Sequence, residues 1–238
     1  MLCIITPQFL LRRFLFGGIM VQKTKTDVKK ITVIGMFIAV SFVITILSKL
    51  LPPIFSATPF LTLDFKDAFV IIAGFIYGPL YALIVALVEA LIEMVTISST
   101  GFIGLIMNAL STGAFAVLGS VVYMFKRTIK GAILGLIIGV ISMVITMVAW
   151  NYIFTPLYMG VDRQIIAGLL LPAIIPFNII KGVLNAALSL LLYKRVIFIL
   201  SKAGFMPTYQ KSNSKTNIIT VVCSVILIIG CVFIIFII

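Results

Sequence analysis

The sequence predicts an all-α membrane protein: a six-helix transmembrane bundle followed by an extra C-terminal transmembrane helix. Three observations predict it. Of 238 residues, 63% are hydrophobic and 10% charged, whereas a soluble chain carries about 25% charge. The apolar residues gather into runs of about 20, the length that crosses a hydrocarbon core. The basic residues that bring the net charge to +12 sit in short clusters between those runs. In a soluble chain such a charge would point to nucleic acid. Clustered beside apolar runs it marks cytoplasmic loops, and no nucleic-acid partner is expected.

The runs divide the chain into an N-terminal cytoplasmic extension (1–30), a six-span core (31–202), a basic linker (203–216) and an accessory transmembrane helix (217–238). Pro7 and Arg12-Arg13 interrupt the first apolar stretch, which is too short to span and lacks the basic-first order of a signal peptide. Gly17-Gly18-Ile19-Met20 reads like a translated ribosome-binding site and start codon, so the natural chain is expected to begin at Met20. Lys23, Lys25, Lys29 and Lys30 precede the first span, 31–51, and place the N-terminus in the cytoplasm. Gly35 and Ala39 form a small-xxx-small pair on that span, a surface that lets another helix approach closely.

Pro52-Pro53 ends the first span, and residues 54–65 read as a loop of extended character. Lys66 and Asp67 open the second run, 68–77, which is short for a bilayer; Gly78-Pro79 makes a tight turn after it. The third span, 80–95, carries Glu89 and Glu93 on one helix face, and 96–101 is a small polar loop. The fourth, 102–125, contains Asn108 and ends in Lys126, Arg127 and Lys130. The fifth, 132–154, closes on Trp150-Asn151-Tyr152, as aromatic residues do at a membrane interface. Residues 155–171 read as a loop, and the sixth span, 172–192, is followed by Lys194-Arg195. With six core spans, every basic cluster falls on the cytoplasmic side, and the loops after spans one, three and five face outward.

Polar residues inside the spans then sort by depth. Glu93, Asn108, Asn151, Asn178 and Lys181 all fall in the outer half; Glu89 and Asn185 lie deeper. A chamber open to the outside and closed to the cytoplasm accounts for that sorting. Lys181 is the most telling, because a lysine at membrane depth costs roughly 2.5–3.5 kcal/mol on insertion scales and needs a partner, water or a task. It shares a helix face with Asn178 in Pro176-Phe177-Asn178-Ile179-Ile180-Lys181. Two readings stand for it: a cation facing a ligand, or half of a structural ion pair with Glu93 or Glu89. Asn108 likewise reads as a ligand contact or as helix-to-helix glue. Amides offering a donor beside an acceptor, one cation, and aromatic residues such as Phe60, Trp150, Tyr152 and Phe177 suit a mostly neutral ligand with an aromatic face and a polar edge. The loop after the first span would cap it.

Several motifs are not explained by periodicity. Leu63-Asp64-Phe65-Lys66-Asp67 followed by Gly74-Phe75-Ile76-Tyr77-Gly78-Pro79 resembles the substrate-binding S components of energy-coupling factor (ECF) vitamin transporters. Gly101-x-x-Gly104-x-x-x-Asn108, Asn151-Tyr152 with Pro156-Leu157-Tyr158, and Pro176 to Gly182 are similar to the riboflavin-specific RibU branch. The resemblance covers about residues 31–202. It implies a vitamin-binding membrane subunit, with riboflavin as transported ligand rather than cofactor. It further implies partnership with a transmembrane T protein and two ABC ATPase subunits. Asn151, Asn178 and Lys181 would hold the flavin's polar edge, while Asn108 and the loop residues Leu61, Thr62, Leu63 and Asp64 would lie near the ring or the ribityl chain. Glu93, Tyr152 and Phe177 complete the expected ligand site, and the face of Gly35 and Ala39 would dock the T protein. Leu105 departs from the pattern, standing where an acidic residue is expected.

An enzyme is not expected. The chain has no histidine, hence no H-E-x-x-H, and no G-x-S-x-G motif appears. Cys3, Cys223 and Cys231 have no metal-ligand spacing. Without a G-x-x-x-x-G-K-[ST] loop the chain has no P-loop of its own, so energy must come from partners or an ion gradient. The alternatives are an S component for another vitamin, and a proton-coupled secondary transporter with Glu89, Glu93 and Lys181 as its relay.

Overall fold

The structure, a computed structural model, describes residues 25–51 and 61–205 together with positions 226 and 229. The expected start at Met20, Phe60, and nearly all of the basic linker and accessory helix lie outside those residues. The described chain is helical, without a strand among the described residues: α1 (Lys25–Ser48), α2 (Asp67–Tyr77), α3 (Pro79–Thr96), α4 (Gly101–Phe125), α5 (Ile129–Met159), α6 (Arg163–Leu169), a π-helical turn (Leu170–Ile174) and α7 (Ile175–Lys202). Among the described residues, five segments are long and apolar enough to cross a membrane: Val28–Ser48, Pro79–Thr96, Gly101–Phe125, Ile129–Met159 and Arg163–Lys202. Their outward residues, among them Ile31, Val43, Leu118, Ile137 and Ile141, are exposed and apolar, as lipid-facing positions must be.

The second predicted span departs from the other five. Helix α2 has 11 residues, about 16 Å at 1.5 Å per residue, short of a hydrocarbon core. It is the centre of the bundle, packed against α1, α3, α4 and α7. Ten of its residues are buried, including Val70, Ile71, Ile72 and Phe75. A helix apolar all round belongs in such a place. Gly78 separates it from α3 at φ 109°, a backbone that side-chain-bearing residues rarely adopt, and Pro79 opens α3 where its missing N–H costs nothing.

Apolar contact alone does not hold helices together in lipid, because the tails are equally apolar. Between α4 and α5 the chain uses glycine instead. A Cβ on Gly135 would lie 2.5 Å from the Gly119 carbonyl oxygen, and one on Gly139 would lie 2.6 Å from that of Phe115. The two backbones therefore run in contact, and this is the most extensive helix pair of the bundle.

The expected loop over 155–171 is a correction. Helix α5 continues through Pro156 to Met159, and α6 runs directly into the π turn and α7. Pro156 stands near the end of α5, where its carbonyl accepts from Gly160 and Val161. The π turn lets the Ile175 amide reach back five residues to Leu170 around Pro172, and Pro176 falls in the first turn of α7. Proline thus re-registers the helix instead of ending it. The turn packs with Leu61, Leu63, Ile166, Phe177, Ile180 and Leu184 in a small apolar cluster that seats the 61–65 segment on the start of α7.

Candidate functional site

That seating closes one wall of a cavity of about 290 Å³, near the small end of the roughly 300–1,000 Å³ usual for ligand sites. It opens at the bundle end where α1, α3 and α5 finish and α4 and α7 begin. Leu61 and Thr62 supply the loop wall, and Phe177, Asn178 and Lys181 project from α7. Gly104, Met107, Asn108 and Ser111 come from α4, Met147 from α5, and Glu93 from α3. Lys49 and the 97–100 turn form the rim. Lys29, Lys30, Lys126, Arg127, Lys130, Lys194 and Arg195 belong to the opposite end, where the Lys29 ammonium donates to the Gly204 carbonyl at 2.9 Å and ties the start of α1 to the end of α7.

Two buried ion networks brace the cavity. Lys181, 4% exposed, lies 2.9 Å from Asp64 Oδ2 and 3.6 Å from Asp67 Oδ2. Lys66, fully buried, lies 2.9 Å from Glu89 Oε2 and 2.6 Å from Glu93 Oε2. Lys49 adds a third cation 3.2 Å from Glu93 Oε1. Four of the chain's six acids thus converge here. The two α3 carboxylates that Lys66 touches offset the cost of burying its ammonium.

The expected pairing of Lys181 with Glu93 or Glu89 is corrected by these distances. Lys66 reaches the α3 acids from the foot of the loop, and that leaves Lys181 to the aspartates that flank Lys66 in sequence. Glu89, Glu93 and Lys181 do not form one chain of contacts. Asn185, one turn below Lys181, fixes the geometry: its amide donates to the Asp64 carbonyl at 2.8 Å and accepts from the Ala68 amide at 3.0 Å. The signal for Asn185 was present in the sequence, since it continues the Asn178–Lys181 face. For Lys66 the signal pointed elsewhere, because a lysine just before an apolar run ordinarily marks a solvated end.

The remaining site residues separate into three groups. Asn108 and Asn178 line the cavity with their amide nitrogens already engaged: Asn108 donates to Glu93 Oε2 at 2.8 Å, Asn178 to the Ile174 carbonyl at 2.8 Å. Asn151 is fully buried behind the wall, donating to the Met147 carbonyl at 2.8 Å and accepting from Thr155 at 2.9 Å. Leu63 and Asp64 are buried in the loop beside the cavity and not in its lining. Tyr152 faces outward, 42% exposed, with the Arg163 guanidinium 5.5 Å from its ring centre. Trp150 stacks on Phe154 at 4.1 Å. Gly35 and Ala39 lie on the exposed side of α1, and a Cβ on Gly35 would meet nothing within 4 Å.

A helical membrane bundle with a polar chamber open at one end, braced by internal ion pairs, is a candidate site for a small molecule. Residues 29–193 match the family model "ECF transporter, substrate-specific component", and the chain belongs to that family, one of transporter components. The riboflavin transporter RibU of Staphylococcus aureus (strain TCH60) is 36% identical over 174 residues, covering 71% of this chain and 90% of that one. A solved structure described as "Structure and mechanism of the S component of a bacterial ECF transporter" aligns with a TM-score of 0.63 and 35% identity, over 73% of this chain and 98% of that one.

Proposed function

We propose that the chain is the riboflavin-binding subunit of an ECF transporter, taking the vitamin from outside the cell and passing it inward with an ATP-driven partner module. The observation that carries the proposal is the convergence of Asn178, Lys181 and Asn108 on one chamber in a chain 36% identical to a riboflavin transporter. Asn178 and Lys181 hold the polar edge of the flavin ring, with Asn151 supporting them from behind. Phe177, Leu61 and Thr62 contact the ring or its side chain, and Leu63 and Asp64 set the loop that covers it. Glu93 and Asn108 face the side-chain end. Tyr152, turned outward, is left without a ligand role.

The basic clusters at the end away from the chamber support a cytoplasmic N-terminus and a chamber facing outward. We take α2 with the 61–66 segment as the sixth core crossing, the 31–202 core as the binding unit, and 217–238 as an accessory helix. The T protein docks on the bare Gly35 and Ala39 face, and two ABC ATPases drive it. The test is the absorption spectrum of the detergent-purified protein. A yellow flavin spectrum is expected. A colourless protein that leaves added riboflavin unbound would refute the ligand assignment.

A further inference from the structure

We propose that Thr112 is a positioning residue for Lys181: by holding one oxygen of Asp67, it keeps the other from capturing the ammonium, which stays available to the chamber. The inference rests on the riboflavin reading and adds to it a residue that does not touch the chamber. Thr112 is 1% exposed, Asp67 is fully buried, and neither belongs to the lining.

The charge count is the first observation. Four carboxylates, Asp64, Asp67, Glu89 and Glu93, share three ammonium groups, those of Lys49, Lys66 and Lys181. Asp64 and Glu89 each have an ammonium at 2.9 Å, and Glu93 has one at 2.6 Å. Asp67 is the acid left over. Its Oδ2 lies 3.6 Å from Lys181 Nζ, beyond hydrogen-bond distance, and is buried with no hydrogen-bond partner. A buried charge without its own partner is costly, so Asp67 is a standing competitor for Lys181.

The second observation is where Thr112 sends its hydroxyl. Several hydroxyls in this bundle bond to the carbonyl four residues back: Thr45 on Ser41, Thr96 on Ile92, Ser120 on Ala116, Ser189 on Asn185. That is the ordinary outlet for a helical serine or threonine. Thr112 instead donates across from α4 to Asp67 Oδ1, at 2.6 Å. The bond fixes the rotation of a carboxylate whose backbone is already set by the start of α2. Lys181 accordingly donates to Asp64, at 2.9 Å, and not to Asp67. A lysine ammonium has three protons to give, and Asp64 takes one of them. With Asp67 free to turn, Oδ2 would take a second. Because Asp67 lies behind the chamber wall, that bond would draw the head group away from the ligand.

The experiment titrates the purified full chain with riboflavin and reads the quenching of flavin fluorescence. Thr112→Val keeps the shape and loses the hydroxyl; it is expected to weaken binding roughly 3- to 10-fold, the range for one lost hydrogen bond. Thr112→Ser keeps the hydroxyl and should restore the affinity. In an Asp67→Leu background the competitor is gone, and Thr112→Val should cost nothing further. A packing role for Thr112 would give the same loss in both backgrounds. If either variant does not fold, Thr112→Ala or Asp67→Asn makes the same comparison. Equal losses in the two backgrounds, undiminished binding by Thr112→Val, or a folded Asp67→Leu chain that no longer binds riboflavin overturn the positioning role and spare the riboflavin reading. A wild-type chain that leaves riboflavin unbound overturns both.

Discussion

Lys181 carries two duties that a single substitution does not separate. It lines the chamber and is also the cation closest to Asp64 and Asp67, both buried. Removing one partner of a buried pair strands the other and costs about 3–5 kcal/mol. Lys181→Ala is therefore expected to lower thermal stability sharply as well as flavin binding. Combining Lys181→Met with Asp64→Asn should recover most of the melting temperature and none of the affinity. If the double variant binds riboflavin normally, the ammonium serves the fold alone. The importance of Lys181 was readable from the sequence, because no lysine sits in an apolar run without a reason. Its partner was not. Asp64 and Lys181 are separated by 117 residues, and choosing between them and the glutamates of α3 needs distances. Tyr152 lies outside the chamber lining for a similar reason: being next to Asn151 in sequence places it about 100° around the helix, and α5 turns it outward.

At the scale of the element, glycines tell which helix faces are committed. The α4–α5 seam leaves no room at Gly135 or Gly139, whereas Gly35 on α1 has open space around it. Gly135→Leu is expected to abolish folding or cut the melting temperature by many degrees, since overpacking a close backbone contact has no cheap relief. Gly35→Leu should leave stability and riboflavin binding intact and abolish uptake, because it fills the face proposed for the T protein. Uptake that survives Gly35→Leu removes α1 as the docking helix. Span positions were legible from apolar run lengths, and they recur as α1, α3, α4, α5 and α7, though α1 starts earlier than expected, α5 runs on to Met159 and α7 to Lys202. One proline-bearing stretch misled: Pro156 suggested a loop over 155–171, yet a helix in a bundle tolerates a proline near its end.

For the whole molecule, the question is the source of energy. The ion contacts divide into Lys66 with the α3 acids and Lys181 with the loop aspartates, so Glu89 and Glu93 do not pair directly with Lys181. Cells expressing the full transporter are expected to keep taking up riboflavin when the proton gradient is collapsed at constant ATP, and to stop when ATP is withdrawn. The reverse pattern in a transport assay would establish a secondary transporter instead. The sequence alone determined that this is a helical membrane protein with basic clusters at one end and its few polar residues at the other. Hydrophobicity and charge are additive along a chain, so their pattern needs no fold to be read. Which acid meets which lysine, that an 11-residue helix occupies the centre, and which end of an asparagine faces the chamber were decided only in three dimensions. Ion pairing and amide polarity depend on ångström-scale distances between segments that are far apart in the chain.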